Sequence, residues 1–230
     1  SSFSVNLVTP NSNKVRVVAE GAEIPINAIS FSAVTFTPKK FGIAVRITRE
    51  MVEDSQFDIL SANMTEIGRR FAENETNLIL TALDGATTTI TGGAAFTIAN
   101  ITAGILGVNN YDYQPTDMII GFEVLSDLQN IDTFVEADKA GNTELMSKGF
   151  IGTIFGLRVA KFSTNAAPST TYAKYAYIFD KTQAYGIAIK RDITVENYSM
   201  PSYDMDAASI TQRLDVQLLR PQSIAKLTTT

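Results

Sequence analysis

The sequence predicts an α+β fold, on three observations. Leu60, Met64, Ile67, Phe71 and Leu78 fall at spacings of four, three, four and seven, which line one face of a long α-helix. Several other segments alternate apolar and polar residues with period two, the sign of half-buried strands. The order is an arm, a hairpin, one long helix, a mixed middle and then long strands, which is an α+β pattern.

Residues 1–22 show no helical period and read as an extended arm around the turn-like cluster Pro10-Asn11-Ser12-Asn13. Residues 23–49 read as a long β-hairpin. Its first strand holds Phe31 and Phe36, Pro38-Lys39-Lys40 is its turn, and Ile43, Val45 and Ile47 alternate with Ala44, Arg46 and Thr48 in its second strand. The helix is expected over 56–83, with Ser55 as cap, Asp58 three residues on, and Asp84-Gly85 as the stop. Glu66 with Arg70, and Arg69 with Glu73, are spaced as i,i+4 ion pairs on its wet side.

Residues 84–100 are rich in Thr, Gly and Ala and read as a loop or short hairpin. A short helix ends near Asn109-Asn110, a buried strand covers 116–121, and a second short helix runs through Val124, Leu125 and Leu128. The span 136–148 is polar and reads as loop. Two short strands broken by Gly152 and Gly156 follow over 150–162, then a loop over 163–172 and a strand over 175–179. In the tail, Ile187, Ile189, Ile193 and Val195 keep one parity of a strand over 185–198. Leu214, Val216 and Leu218 keep one parity of another, and Ile224 to Leu227 form a last apolar patch beyond Pro221.

Composition narrows the chemistry. The chain has no His, no Cys and no Trp. That removes disulfides, thiol nucleophiles, imidazole bases and Cys- or His-ligated metals. Charged residues reach 19%, below the roughly 25% of ordinary soluble domains, so much surface is neutral or apolar and suited to burial against other subunits. The net charge of −5 gives no basic field for gripping nucleic acid. No run reaches the length of a membrane span. The chain begins Ser1-Ser2, which fits either loss of an initiator Met or cleavage of a precursor.

Few constellations remain for catalysis. Glu50, Glu53, Asp54 and Asp58 are close enough for acid–base or hard-metal chemistry, but carboxylates at that place also favour a helix N-terminus. Asp204-Met-Asp206 lacks the Gly and distal Glu of a calcium loop and reads as a turn. Gly149-x-x-Gly152 is explained by flanking strands. No enzyme activity, cofactor or metal is expected. An enzyme would have to rest on the Glu50–Asp58 carboxylates alone.

Several strings, in their order, resemble the major capsid proteins of tailed phages and related archaeal viruses, the Hong Kong 97-like fold. IAVRITREMVEDS at 43–55 is similar to the family's strand leading into the spine helix. LMSKGFIGTIFGLRV at 145–159 resembles its glycine-punctuated axial strands. IAIKRDITVE at 187–196, TQRLDV at 211–216 and IAKL at 224–227 resemble its peripheral strands. The resemblance implies an arm over 1–22, an E-loop over 23–49, a peripheral domain over 50–99 and 181–230, and an axial domain over 100–180. It implies a subunit that assembles with itself, as hexamers and pentamers of an icosahedral shell, around double-stranded DNA held without sequence-specific contacts. Portal or minor capsid proteins are the other partners it implies, the membrane is not one, and the place is the virion, after assembly in the host cytoplasm. Lys39, Lys40, Phe31, Phe36, Arg46, Arg69 and Arg70 become the candidates for contact between subunits. Some relatives crosslink a loop lysine to an asparagine. Lys39 or Lys40 would be the lysine here, with no matching Asn or Glu. The alternative within the fold is an encapsulin-type shell around a cargo enzyme. Such shells usually begin with a helix, and 1–22 has no helical period.

Overall fold

A computed structural model of the chain describes residues 2–9, 15, 17–24, 26, 29–54, 59–130 and 150–229. The expected cap Ser55, Asp58, Gly149 and the polar span 136–148 lie outside them. The described residues form three separate sheets, of two, three and six strands.

The smallest sheet is an antiparallel hairpin of β1 (Phe3–Thr9) and β2 (Ser30–Phe36), paired from Phe3↔Phe36 to Thr9↔Ser30. This corrects the hairpin expected over 23–49. β2 does not fold back on β3 (Lys39–Thr48), which instead pairs with β10 (Met205–Leu218) in the three-stranded sheet. The reason is local. A two-residue hairpin turn needs positive φ at one or both central residues. Thr37 resists it and Pro38 forbids it, so the chain runs on and changes sheets. Lys39 and Lys40 therefore lie in β3, opposite Leu214 and Arg213, and not at a hairpin tip.

The three-stranded sheet has the order β3-β10-β9, with β9 (Tyr185–Met200) on its edge. β9 and β10 form a long hairpin closed by Pro201–Tyr203 and by Asp204 in the left-handed region at φ 49°, a conformation Asp tolerates. Two register shifts interrupt the pairing between Thr211 and Leu214. They place extra residues on β9 and bend it, as bulges do.

A short helix, α1 (Arg49–Asp54), follows β3, and the long helix α2 (Ile59–Leu83) comes next. Ile67 and Phe71 of α2 bury against Ala208 and Ile210 of β10, with Phe41, Val45 and Met64 packed around them. Further along, Leu80 and Leu83 are fully buried against Tyr177, Phe179 and Ile224 of the other sheet. The helix thus rests on two sheets in turn. Its buried side ends on Leu80 and Leu83, whereas Leu78, expected in the stripe, is only partly covered.

The six-stranded sheet has the order β4-β11-β8-β5-β7-β6. Its strands are β4 (Thr88–Thr91), β5 (Asp117–Ile120), β6 (Phe150–Ile154), β7 (Leu157–Lys161), β8 (Tyr175–Phe179) and β11 (Ile224–Thr228). α3 (Ile98–Asn109) and α4 (Phe122–Gln129) cover one face through Ile101, Val108, Val124 and Leu128. The end of α2 covers the other. β8 shows the alternation plainly: Ala176 and Ile178 face α3 and α4, while Tyr177 and Phe179 face α2. Phe155 at φ 49° and Gly156 at φ 82° make the tight turn between β6 and β7, and Gly152 marks a register shift in β6.

Two expectations change here. Residues 88–91 form no hairpin of their own, because β4 pairs in parallel with β11. The last apolar patch is an inner strand of the six-stranded sheet, so it lies in a different sheet from β9 and β10, which come just before it.

Candidate assembly surfaces

The hairpin of β1 and β2 is anchored at its base. Phe36 is 3% exposed, its ring stacks on Phe3 at 5.2 Å, and Gly186 leaves the space it fills. The Thr37 N–H donates to Asp215 Oδ2 at 2.7 Å. Arg220, on the far side, donates from Nη2 to the Val8 carbonyl at 2.9 Å and from Nη1 to the Tyr113 hydroxyl at 3.4 Å. Away from the base, apart from the Arg220 contact at Val8, the apolar side chains of the hairpin are open. Val8 and Phe31 are cross-strand partners and both are exposed, Phe31 at 66%. Ile24, Ile26 and Ile29 beyond them are exposed too.

A second apolar strip lies on edge strand β9. Ile189 and Ile187 stand opposite Leu214 and Val216, and Val195 stands opposite Ile210. Directly paired residues share a face, so this strip is on the α2 side of the sheet. The helix covers β10 but leaves Ile187, Ile189, Ile193 and Val195 exposed. These apolar residues face solvent on a single chain, although the same pattern in a monomeric protein would mark a core.

The expected contact residues do not behave alike. Phe31 is open. Phe36 is buried within its own chain and leaves the candidate set, because its ring is consumed in seating the hairpin. Lys39, Lys40 and Arg46 are exposed on β3. Arg69 and Arg70 are engaged along their own helix. Arg70 meets Glu66 at 2.9 Å and Arg69 meets Glu73 at 3.7 Å, the i,i+4 pairs the spacing predicts, and i,i+3 pairs join them into a four-residue ladder. Exposed pairs of this kind add little stability.

The carboxylates form no catalytic centre among the described residues. Glu50, Glu53 and Asp54 are exposed on α1, and no group of three metal-binding side chains converges. Asp204 and Asp206 both face Arg49, at 3.3 and 3.8 Å. A largely apolar cleft of about 530 Å³ beside α2 is lined by Val45, Ile47, Met64 and Ile67, with Arg49, Glu53 and Asp206 at its polar side. No described helix is long and apolar enough to cross a membrane.

One polar cluster escaped the sequence reading. Asp84, just past the end of α2, accepts hydrogen bonds from Tyr177 Oη at 3.1 Å and from Lys226 Nζ. Lys226 also sits over the Tyr175 ring, 4.1 Å from its centre. Burial, then the Asp84 charge, pushes the Tyr172 phenol up to about 12 and the Tyr177 phenol further up. Only the position of Asp84 at the helix stop hinted at this. Arg220 was likewise unmarked. The strand β1, in contrast, had a signal: Phe3, Val5 and Leu7 alternate with Ser4 and Asn6.

The family model described as "Phage capsid protein" matches residues 32–227. The chain belongs to the phage capsid protein family. No curated protein matches it. Solved structures give the fold. The capsid of cyanophage P-SCSP1u superposes with a TM-score of 0.65 at 17% identity, over 100% of this chain and 83% of that one. Mycobacterium phage Che8 gives 0.74 at 16%, over 98% and 84%. The mature capsid of bacteriophage PhiM1 gives 0.70 at 12%, over 100% and 82%. This capsid protein therefore has the Hong Kong 97-like α+β fold and is a structural component of the virion shell. Nothing in these matches favours an encapsulin.

Proposed function

We propose that this capsid protein closes an icosahedral shell of pentamers and hexamers around double-stranded DNA. The observation that carries it is the apolar surface left bare on one chain: Val8 and Phe31 on the projecting hairpin, and Ile187, Ile189 and Val195 on β9. A hairpin seated at its base by Phe36, held by Arg220 at the Val8 carbonyl and apolar on its open side is built to lie on a neighbour. In this reading it takes the E-loop role first given to residues 23–49, with its boundaries moved to β1 and β2. The six-stranded sheet with α3 and α4 serves as the axial domain of about 100–180. The long sheet with α2 serves as the peripheral domain, assigned to 50–99 and 181–230, and the arm of 1–22 contributes β1.

The net charge of −5 fits DNA that is enclosed, rather than gripped by a basic lining. A portal and minor capsid proteins complete the particle in the host cytoplasm. The test is direct. Purified protein expressed in a bacterial cytoplasm should appear as closed shells by electron microscopy, and virions should hold nuclease-resistant duplex DNA. A monodisperse 25.0 kDa species under every condition would overturn the reading.

A further inference from the structure

Three cations lie side by side across the three-stranded sheet. Arg213 of β10 stands directly opposite Lys40 of β3 on one side and Arg191 of β9 on the other. Direct partners in antiparallel strands share a face, and like charges so placed repel. None of the three has a carboxylate within ion-pairing distance among the described residues. Asp215 lies one rung away on the same face, but it is committed to the Thr37 N–H and the Gln217 amide. The Nε of Arg213 is hidden from solvent without a hydrogen-bond partner. Among the described residues the row is thus repulsive and has no ion-pair partner.

The other end of the same sheet has the opposite character. β3 runs from Lys39 to Thr48 and passes directly into α1. The exposed carboxylates Glu50, Glu53 and Asp54 of α1 make no ion pair among the described residues. About eight residues separate Lys40 from α1, or roughly 26 Å of extended strand. The sheet is therefore positive at one end and negative at the other, and neither charge set has an ion-pair partner among the described residues.

We infer that the row Lys40–Arg213–Arg191 receives the acidic α1 helix of a second copy of this chain. The contact is head-to-tail, since the donor and acceptor patches differ and lie at opposite ends. A head-to-tail contact repeated by rotation closes into a ring. Three carboxylates meeting three cations would remove the repulsion of the row. The complementary charges also set the register between neighbours, which apolar strips do poorly. Nucleic acid phosphate is the weaker occupant. Three cations on an acidic chain are few for duplex binding, whose affinity is built from many phosphate contacts. The inference rests on the shell reading above, and its test separates the two.

The experiment compares four chains: unsubstituted, row-reversed (Lys40→Glu, Arg191→Glu, Arg213→Glu), α1-reversed (Glu50→Lys, Glu53→Lys, Asp54→Lys), and both reversed together. Circular dichroism and thermal melting establish first that each folds. Assembly is then read by analytical ultracentrifugation and electron microscopy. Each single reversal should lower assembled material by roughly tenfold, and the double reversal should restore it. If the unsubstituted chain forms no oligomer, the shell reading falls and this contact with it. If it assembles and the row-reversed chain assembles equally well, this contact alone is overturned. Normal assembly of the α1-reversed chain overturns α1 as the occupant. Shells that form normally from the row-reversed chain but hold less DNA overturn the inference in favour of phosphate. Should a triple reversal unfold, Arg213→Glu paired with Glu53→Lys runs the same cycle with fewer changes.

Discussion

The Tyr177 hydroxyl donates to the Asp84 carboxylate at 3.1 Å, tying the end of α2 to the middle of the six-stranded sheet. Tyr177 is fully buried and Lys226 shares the same carboxylate oxygen. The long helix rests on both large sheets, so this cluster fixes how its far end is held. Asp84→Ala leaves the buried phenol and Lys226 without their acceptor and should cost about 2–3 kcal/mol of subunit stability. Tyr177→Phe keeps the ring and removes only the donor, at about 1 kcal/mol. Urea unfolding of dissociated subunits measures both. Equal costs for the two variants would contradict the shared-acceptor role.

The same cluster sets an alkaline limit. Tyr172, Tyr177 and Tyr185 all have phenols raised above their ordinary value of 10.0, chiefly by burial, with Tyr172 at about 12. Below pH 10.0 these phenols are protonated in both the folded and unfolded chain, and stability is unaffected. Above it the unfolded chain loses protons that the folded chain keeps, so stability falls as pH rises. Unfolding midpoints measured from neutral pH upward should be flat and then decline past about 10. The decline should be shallower in Tyr177→Phe; an unchanged slope in that variant would rule Tyr177 out as the source.

Arg220 is the latch of the hairpin. It reaches the Val8 carbonyl from one side and Tyr113 from the other. Arg220→Ala should lower global stability only modestly, by about 1 kcal/mol. Its larger effect should be local: amides of β1 and β2 exchange faster with solvent, while those of β9 and β10 keep their protection. Hydrogen exchange read by mass spectrometry decides this. Uniform acceleration across both hairpins would argue against a latch.

Phe31 and Phe36 belong to one strand and should fail in different ways. Phe36→Ala opens a cavity beside Phe3 and Gly186 and should cost about 3–5 kcal/mol in the isolated subunit. Phe31→Ala removes an exposed ring and should leave subunit stability within about 0.5 kcal/mol. Assembly, not folding, is what it should weaken. Paired melting and sedimentation measurements separate the two effects. A stable, fully assembling Phe31→Ala chain would remove that ring from the interface.

The fold class was legible because its signals are local. The stripe through Met64, Ile67 and Phe71 is a matter of spacing along one helix, and the alternation from Ile187 to Val195 is a matter of parity along one strand. The partners of those strands were not legible. Residues 23–49 read as a hairpin because two alternating runs stood side by side. Thr37-Pro38 carried the contrary signal, a turn that cannot close. The ladder of Glu66, Arg69, Arg70 and Glu73 was visible because helix neighbours are fixed by sequence distance. The cluster of Asp84, Tyr177 and Lys226 was not, since 93 and 142 residues separate Asp84 from its two partners.

The sequence by itself determined the element types, the absence of His and Cys chemistry, and a surface short of charge. Each depends only on residue identity and near neighbours. Tertiary structure alone decided which apolar residues are core and which stay exposed. Phe36 and Phe31 are the same residue type on one strand; one is seated against Phe3 and the other faces solvent. Ile210 and Val195 are paired across two strands, yet α2 covers the first and stops short of the second. Burial is a property of what lies opposite a side chain, and that is settled only when distant segments meet.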